Sequence, residues 1–107
     1  MSGDAWIAGE RRFEDTMHRV RGCAAAIDRA TEELAVLRGR ARSRCGTAAA
    51  EADGRGRLVS LRLADTVTRL RGDEVGELIV ATAGAARVDA LRRRQEVIAE
   101  LVAELAR

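Results

Sequence analysis

Apolar residues recur along this chain with two different periods, and the change of period divides it into three parts. From about Asp4 to Leu37, the positions Phe13, Met17, Val20, Ala24, Ile27, Thr31 and Leu34 follow alternating steps of four and three. That spacing lines one side of an α-helix and makes a seam for another helix in coiled-coil fashion. Gly22, in the middle of this arm, costs about 1 kcal/mol of helix propensity relative to Ala, so packing must supply the stability. Cys23 and Ala24 beside it point to close approach of another backbone. Between Arg38 and Leu63 the period becomes two, the period of a strand. Arg38 to Ser43 alternates Arg with Gly39, Ala41 and Ser43; Thr47 to Asp53 sets Ala48, Ala50 and Ala52 on one side; Arg57 to Leu63 offers Val59, Leu61 and Leu63. Three short strands in a meander fit this pattern. Gly54 and Gly56 bracket the sharpest turn, because glycine takes positive φ without steric cost. A connection from Gly54 to Arg57 pairs Ala52 with Val59, Ala50 with Leu61 and Ala48 with Leu63, and a slip of one residue would turn every one of them to the wrong face. A turn near Arg44 and Cys45 then sets Arg38 across from Glu51, with the arginine face outward.

The helical period returns after Leu70, Arg71 and Gly72. Asp73 is the expected N-cap, and Glu74 and Glu77 lie in the first turns, where negative side chains suit the helix dipole. Val75, Leu78, Ile79, Thr82, Ala83 and Ala86, and later Ile98, Leu101, Val102 and Leu105, carry an apolar stripe onward. A helix of ~33 residues is about 50 Å long, too long for a compact monomer of this size. Gly84 and the run Arg92 to Arg94 are the two places where it would divide, and the pattern does not choose between one helix and two. The expected class is α+β: a long N-terminal helix, a three-stranded antiparallel meander, and a long C-terminal helix or helix pair, one domain over residues 1–107.

Charge follows the same division. Residues 1–34 hold five Arg and seven acids, residues 35–72 nine Arg and three acids, residues 73–107 five Arg and seven acids. The positive charge is therefore concentrated on the strand region, where Arg38, Arg40, Arg42 and Arg44 recur every second residue and would share one strand face. Such a surface attracts a polyanion such as nucleic acid, although an Arg-rich solvent face also discourages edge aggregation with no ligand at all. All 19 basic residues are Arg, which with so much Ala and Gly reads most economically as a GC-rich coding bias. The chain has one Phe, one Trp and no Tyr, so its 47% apolar content is chiefly Ala, Leu, Val and Ile, suited to long helices packed face to face. A chain this short buries only a modest core when alone, so partner surface is expected to matter.

Several chemistries find no support in the residues. His18 is the only histidine, on a helix, with no set of Ser, Cys and carboxylate at triad spacing. Gly54-Arg55-Gly56 leads into a strand, not into the helix that a phosphate-binding loop needs. Asp and Glu are scattered, with no Cys or His cluster for a metal. Cys23 and Cys45 stand 22 positions apart in unlike contexts, two free thiols in a reducing compartment. No enzyme and no cofactor are expected. No run of ~18 apolar residues exists, and Met1 to Glu10 lacks the basic start and apolar core of a secretory signal, so no membrane span and a cytoplasmic location are expected.

The segment GTAAAEADGRGRLVSLRLADTVTRLRGDEVGELIVATAGAARVDALRR resembles the YbaB/EbfC family of small nucleoid-associated proteins. The likeness covers roughly Leu34 to Arg94: a strand of alternating apolar residues, a Gly-containing turn, a strand from Arg57 to Leu63, an acidic residue near Asp65, and a helix with an Ala-rich middle. It implies a homodimer whose sheets join at the centre while helices project as the arms of a tweezer, binding DNA with these helical arms and influencing nucleoid organisation and gene expression. Actinobacterial relatives linked to specialised secretion or to regulatory complexes share the shape, and the Ala- and Arg-rich composition suits an actinobacterial member.

The expected function is that of a cytoplasmic, dimeric, nucleoid-associated DNA-binding protein of low sequence specificity. Arginines would neutralise phosphates and release counterions. The residues expected to carry this are Arg38, Arg40, Arg42 and Arg44, then Arg55, Arg57 and Arg62 of the sheet, with Arg92, Arg93 and Arg94 as the arm-borne alternative. Their role is positioning, since no recognition helix of known type is present. The alternative is a dimeric adaptor that holds a partner protein between its arms, with Trp6, Ile7, Leu101 and Leu105 as candidate contacts, unless these merely pack one arm on its dimer mate.

Overall fold

The computed structural model describes the backbone from Ser2 to Arg107 and the side chains from Ile7 onward. Helix α1 (Ser2–Val36) leads into strands β1 (Arg38–Arg42), β2 (Ala48–Asp53) and β3 (Leu58–Leu63), a 3-10 turn (Asp65–Arg69) and helix α2 (Gly72–Leu105). The sheet is antiparallel, ordered β1-β2-β3. This is the α+β architecture that the periodicity implies, and α2 is one unbroken helix across both Gly84 and the Arg92–Arg94 run. Each helix is about 50 Å long at ~1.5 Å per residue. The chain measures 87 × 16 × 16 Å with a radius of gyration of 23.6 Å, against about 13 Å for a compact chain of ~100 residues.

Three local expectations are corrected. Helix α2 is capped by Arg71, whose extended backbone precedes Gly72, and the Arg71 N–H donates to the Glu74 carboxylate at 3.2 Å; Asp73 already lies inside the first turn. Ala48 faces Leu63 and Ala50 faces Leu61 as expected, but Ala52 faces Leu58 and not Val59. The Asp53 carboxylate accepts the N–H groups of Arg55 and Arg57, each at 2.9 Å, and Gly56 turns the chain at φ 83°. This tight turn advances β3, and the surplus residue is absorbed as a bulge. Arg38 faces Asp53, and Arg40 faces Glu51. The β1–β2 loop is two residues longer in effect, closed by Gly46 at φ 72° and by the Ser43 hydroxyl accepting the Ala48 N–H at 3.0 Å. A shift of two preserves the faces, so the arginines still point away from the helix.

The interior is built of alanine. Ala48, Ala50 and Ala52 of β2 are buried with Ala86 and Ala90 of α2, and Leu37 closes the end of the cluster. Small side chains let sheet and helix backbones approach closely, most of all at Gly39, where a Cβ would overlap the Ala86 carbonyl and the Ala90 amide. That is where the tight backbone contact falls; at Gly22 a Cβ would meet nothing.

Helix α1 packs on α2 through Ala26, Ala30 and Leu34, with Leu37 just past its end, against Ala90, Val97 and Leu101. Apart from Leu34, this is not the expected seam. At 3.6 residues per turn, the seam Phe13–Val20–Ile27 lies about a quarter turn away, and these three residues are 66%, 53% and 46% exposed. Short residues win the α1–α2 contact because they let the helices close on each other, which leaves the bulkier seam outside.

Candidate nucleic-acid interface

One face of the sheet packs on α2, and strand alternation turns the other to solvent. Its side chains form three cross-strand rows: Arg38 beside Asp53; Arg40, Glu51 and Ser60; Arg42, Ala49 and Arg62. Arg40, Arg42 and Arg62 are exposed and Arg38 is half-buried, its guanidinium donating to the Leu37 carbonyl at 2.8 Å. Two carboxylates share the face. Glu51 accepts from Arg40 Nε at 3.2 Å. Asp53 is engaged by its own turn, and the backbone N–H of Arg57 holds its carboxyl below the usual carboxylate range. Arg42 and Arg62 form no ion pair among the described residues. They flank the small Ala49 at a separation of about 10 Å, two inter-strand spacings.

The remaining candidates divide. Arg44 lies beyond the end of β1 in the loop, so it does not share the face of the other three as the alternation suggested. Arg55 and Arg57 sit at the β2–β3 turn and line one hollow with Arg94 of α2, against Thr31 and Leu34 at the end of α1. Gly54 makes this junction possible, since a Cβ there would stand 2.9 Å from the Leu34 carbonyl oxygen. Arg87 lies against Gly56 and joins the same cluster. Sequence reasoning missed it, although Arg87 and Arg94 are seven apart and so share a helix face.

Arg92 and Arg93 are committed elsewhere. Both donate to Asp89, at 2.7 and 2.9 Å, and the same carboxylate accepts the Arg40 backbone N–H at 2.8 Å. The Arg92 hydrogen bond, then the Arg40 amide and Arg93, hold Asp89 far below the ordinary carboxylate range, and Asp89 in turn pushes the Arg92 guanidinium up. The group clamps β1 to α2. Of the expected arm-borne set, only Arg94 belongs to a basic cluster.

His18 is exposed on α1. Cys23 is half-buried and Cys45 is exposed in the β1–β2 loop; both are free. Trp6 lies outside the described side chains. Among the described residues, no group of three or more His, Cys, Asp or Glu is placed to hold a metal ion, and no helix is long and apolar enough to cross a membrane.

Fold and surface together define an elongated helix–meander–helix protein whose sheet carries exposed arginines on its outer face. The chain belongs to the YbaB/EbfC DNA-binding family, whose model matches residues 10–105; this is a family of nucleoid-associated DNA-binding proteins and not of enzymes. The fold is similar to the crystal structure of the uncharacterized protein HP0035 from Helicobacter pylori, at TM-score 0.62 and 13% identity, over 84% of this chain and 96% of that one. No curated protein matches the chain in sequence.

Proposed function

We propose that the protein is a homodimeric, sequence-tolerant DNA-binding protein of the bacterial nucleoid that contacts the phosphate backbone through the arginines of its sheet and influences gene expression through DNA organisation. The supporting observation is the pair Arg42 and Arg62, exposed on one face with no carboxylate partner among the described residues. Arg40 and Arg38 extend this surface, and Arg55, Arg57, Arg87 and Arg94 make a second basic patch. Backbone contact of this kind positions a protein on DNA and reads no bases.

Dimerisation is supported by what one copy leaves uncovered. Leu58 and Val59 on edge strand β3 are 47% and 46% exposed, and Val80 and Val88 on the outer side of α2 are exposed as well. Unpaired strand edges and apolar faces of this kind are ordinarily covered by a partner.

A DNA-binding titration by fluorescence anisotropy at two salt concentrations tests the reading. The affinity is expected to fall with salt at a log–log slope near −0.9 per phosphate contacted, and Arg42→Ala with Arg62→Ala to reduce that slope by about 2 for each protomer in contact with DNA. No binding at low salt with micromolar protein overturns the proposal.

A further inference from the structure

The joint between the end of α1, the β2–β3 turn and α2 gathers positive charge that the chain itself leaves uncompensated. Arg55 and Arg57 of the turn and Arg94 of α2 line an open hollow of about 450 Å³ against Leu34 and Ala35 of α1. Arg87 reaches the same turn from α2: a Cβ at Gly56 would stand 3.2 Å from its Nε. All four arginines are exposed, and none forms an ion pair among the described residues. Arg92 and Arg93, on the neighbouring side of the same helix, are by contrast both paired with Asp89.

Two local negative charges oppose these arginines, and neither is a sufficient counter-ion. Asp53 is the carboxylate that lines the hollow; its Oδ1 accepts the backbone N–H groups of Arg55 and Arg57, and Arg38 stands opposite it on β1. The C-terminal turn of α1 adds about half a negative charge, enough to draw guanidinium groups toward the joint but not to neutralise them. Guanidinium groups hold phosphate oxygens through paired N–H donors, and adjacent phosphates bring several charges within reach of several side chains. We propose that this hollow binds a short phosphate chain, such as a nucleoside triphosphate or inorganic triphosphate presents, with Arg55, Arg57 and Arg94 on its oxygens and Arg87 at the rim. A DNA duplex is too wide to enter and reaches only the rim. The site is separate from the outer face of the sheet, where Arg42 and Arg62 stand.

The test titrates ATP, AMP and inorganic triphosphate, each free of divalent cations, into the full chain by isothermal calorimetry at low salt and without DNA. ATP and triphosphate are expected to bind, and AMP, with its single phosphate, to bind at least about tenfold more weakly. Tighter binding of ATP than of triphosphate assigns the site to a nucleotide whose nucleoside rests on Leu34 and Ala35; the reverse, or equality, assigns it to a bare phosphate chain. Arg55→Ala, Arg57→Ala and Arg94→Ala, each checked for its fold by circular dichroism, are expected to weaken binding by about tenfold apiece, the worth of a charge-assisted hydrogen bond. Arg42→Ala with Arg62→Ala leaves it unchanged. Three results overturn the proposal: no binding of ATP or triphosphate at millimolar concentration, AMP binding as tightly as ATP, or a loss on the Arg42 and Arg62 variant equal to that on Arg94→Ala. Because no DNA is present, such a failure leaves the DNA reading of the sheet standing.

Discussion

Gly39 and Cys45 show how much rests on single positions. At Gly39 the strand backbone lies directly on the α2 backbone, and a methyl group has nowhere to go because its neighbours are the Ala86 carbonyl and the Ala90 amide. Gly39→Ala is expected to cost about 3 kcal/mol, the upper range for overpacking, measurable as a lower urea midpoint; an unchanged midpoint would show that sheet and helix separate without strain. Cys45 is activated by its loop: the Thr47 hydroxyl, and after it Ser43, stabilise the thiolate and lower the thiol to about 7. Its alkylation rate is expected to rise through a midpoint near pH 7, and Thr47→Val to move that midpoint upward. A profile unmoved by Thr47→Val would exclude the hydroxyl as the cause. The alternation around Arg38 placed Gly39 on the inner face, but which residue it would meet depends on α2, nearly 50 positions on.

The decisive joint between elements is Asp89. It gathers the Arg40 amide of β1 and the guanidinium groups of Arg92 and Arg93, so the run Arg92 to Arg94, in the sequence a candidate hinge or phosphate site, is chiefly part of a clamp. The carboxyl titrates lower in the folded chain than its unfolded value of about 3.9. The stability it contributes is therefore complete above about pH 4 and is lost as pH falls toward the lower folded value. Asp89→Asn is expected to lower stability by about 1–2 kcal/mol at pH 7, with the gap to wild type narrowing below about pH 4 in urea titrations. A constant gap across that range would mean that Asp89 acts by shape alone. The elements themselves were legible: both long helices and the three strands fall within a residue or two of the periodicity. The α1 seam is real as a pattern, but α2 does not cover it, because periodicity identifies an apolar side without saying which neighbour covers it.

As a whole, the molecule is a thin rod whose interior is alanine, with no large side chain fully buried among the described residues. Alanine burial removes little surface from water, and a chain of this length has little interior to begin with. A homodimer stabilised by mutual cover has a Tm that rises with protein concentration. We expect such a rise over a hundredfold dilution series, abolished by Leu58→Glu together with Leu63→Glu on β3; a concentration-independent Tm in the wild type would mean that one copy stands alone.

The order of elements, the arginine-bearing outer face and the small-residue inner face were determined by the sequence alone, because helix and strand periods and the alternation of strand side chains are local properties of the chain. The tertiary structure decided which arginines remain available and which are bound to Asp89, where Arg87 joins the basic cluster, and which apolar stripe the two helices leave exposed. Those outcomes depend on distances between residues far apart in sequence, set by how closely α2 descends onto Gly39 and the alanines of β2.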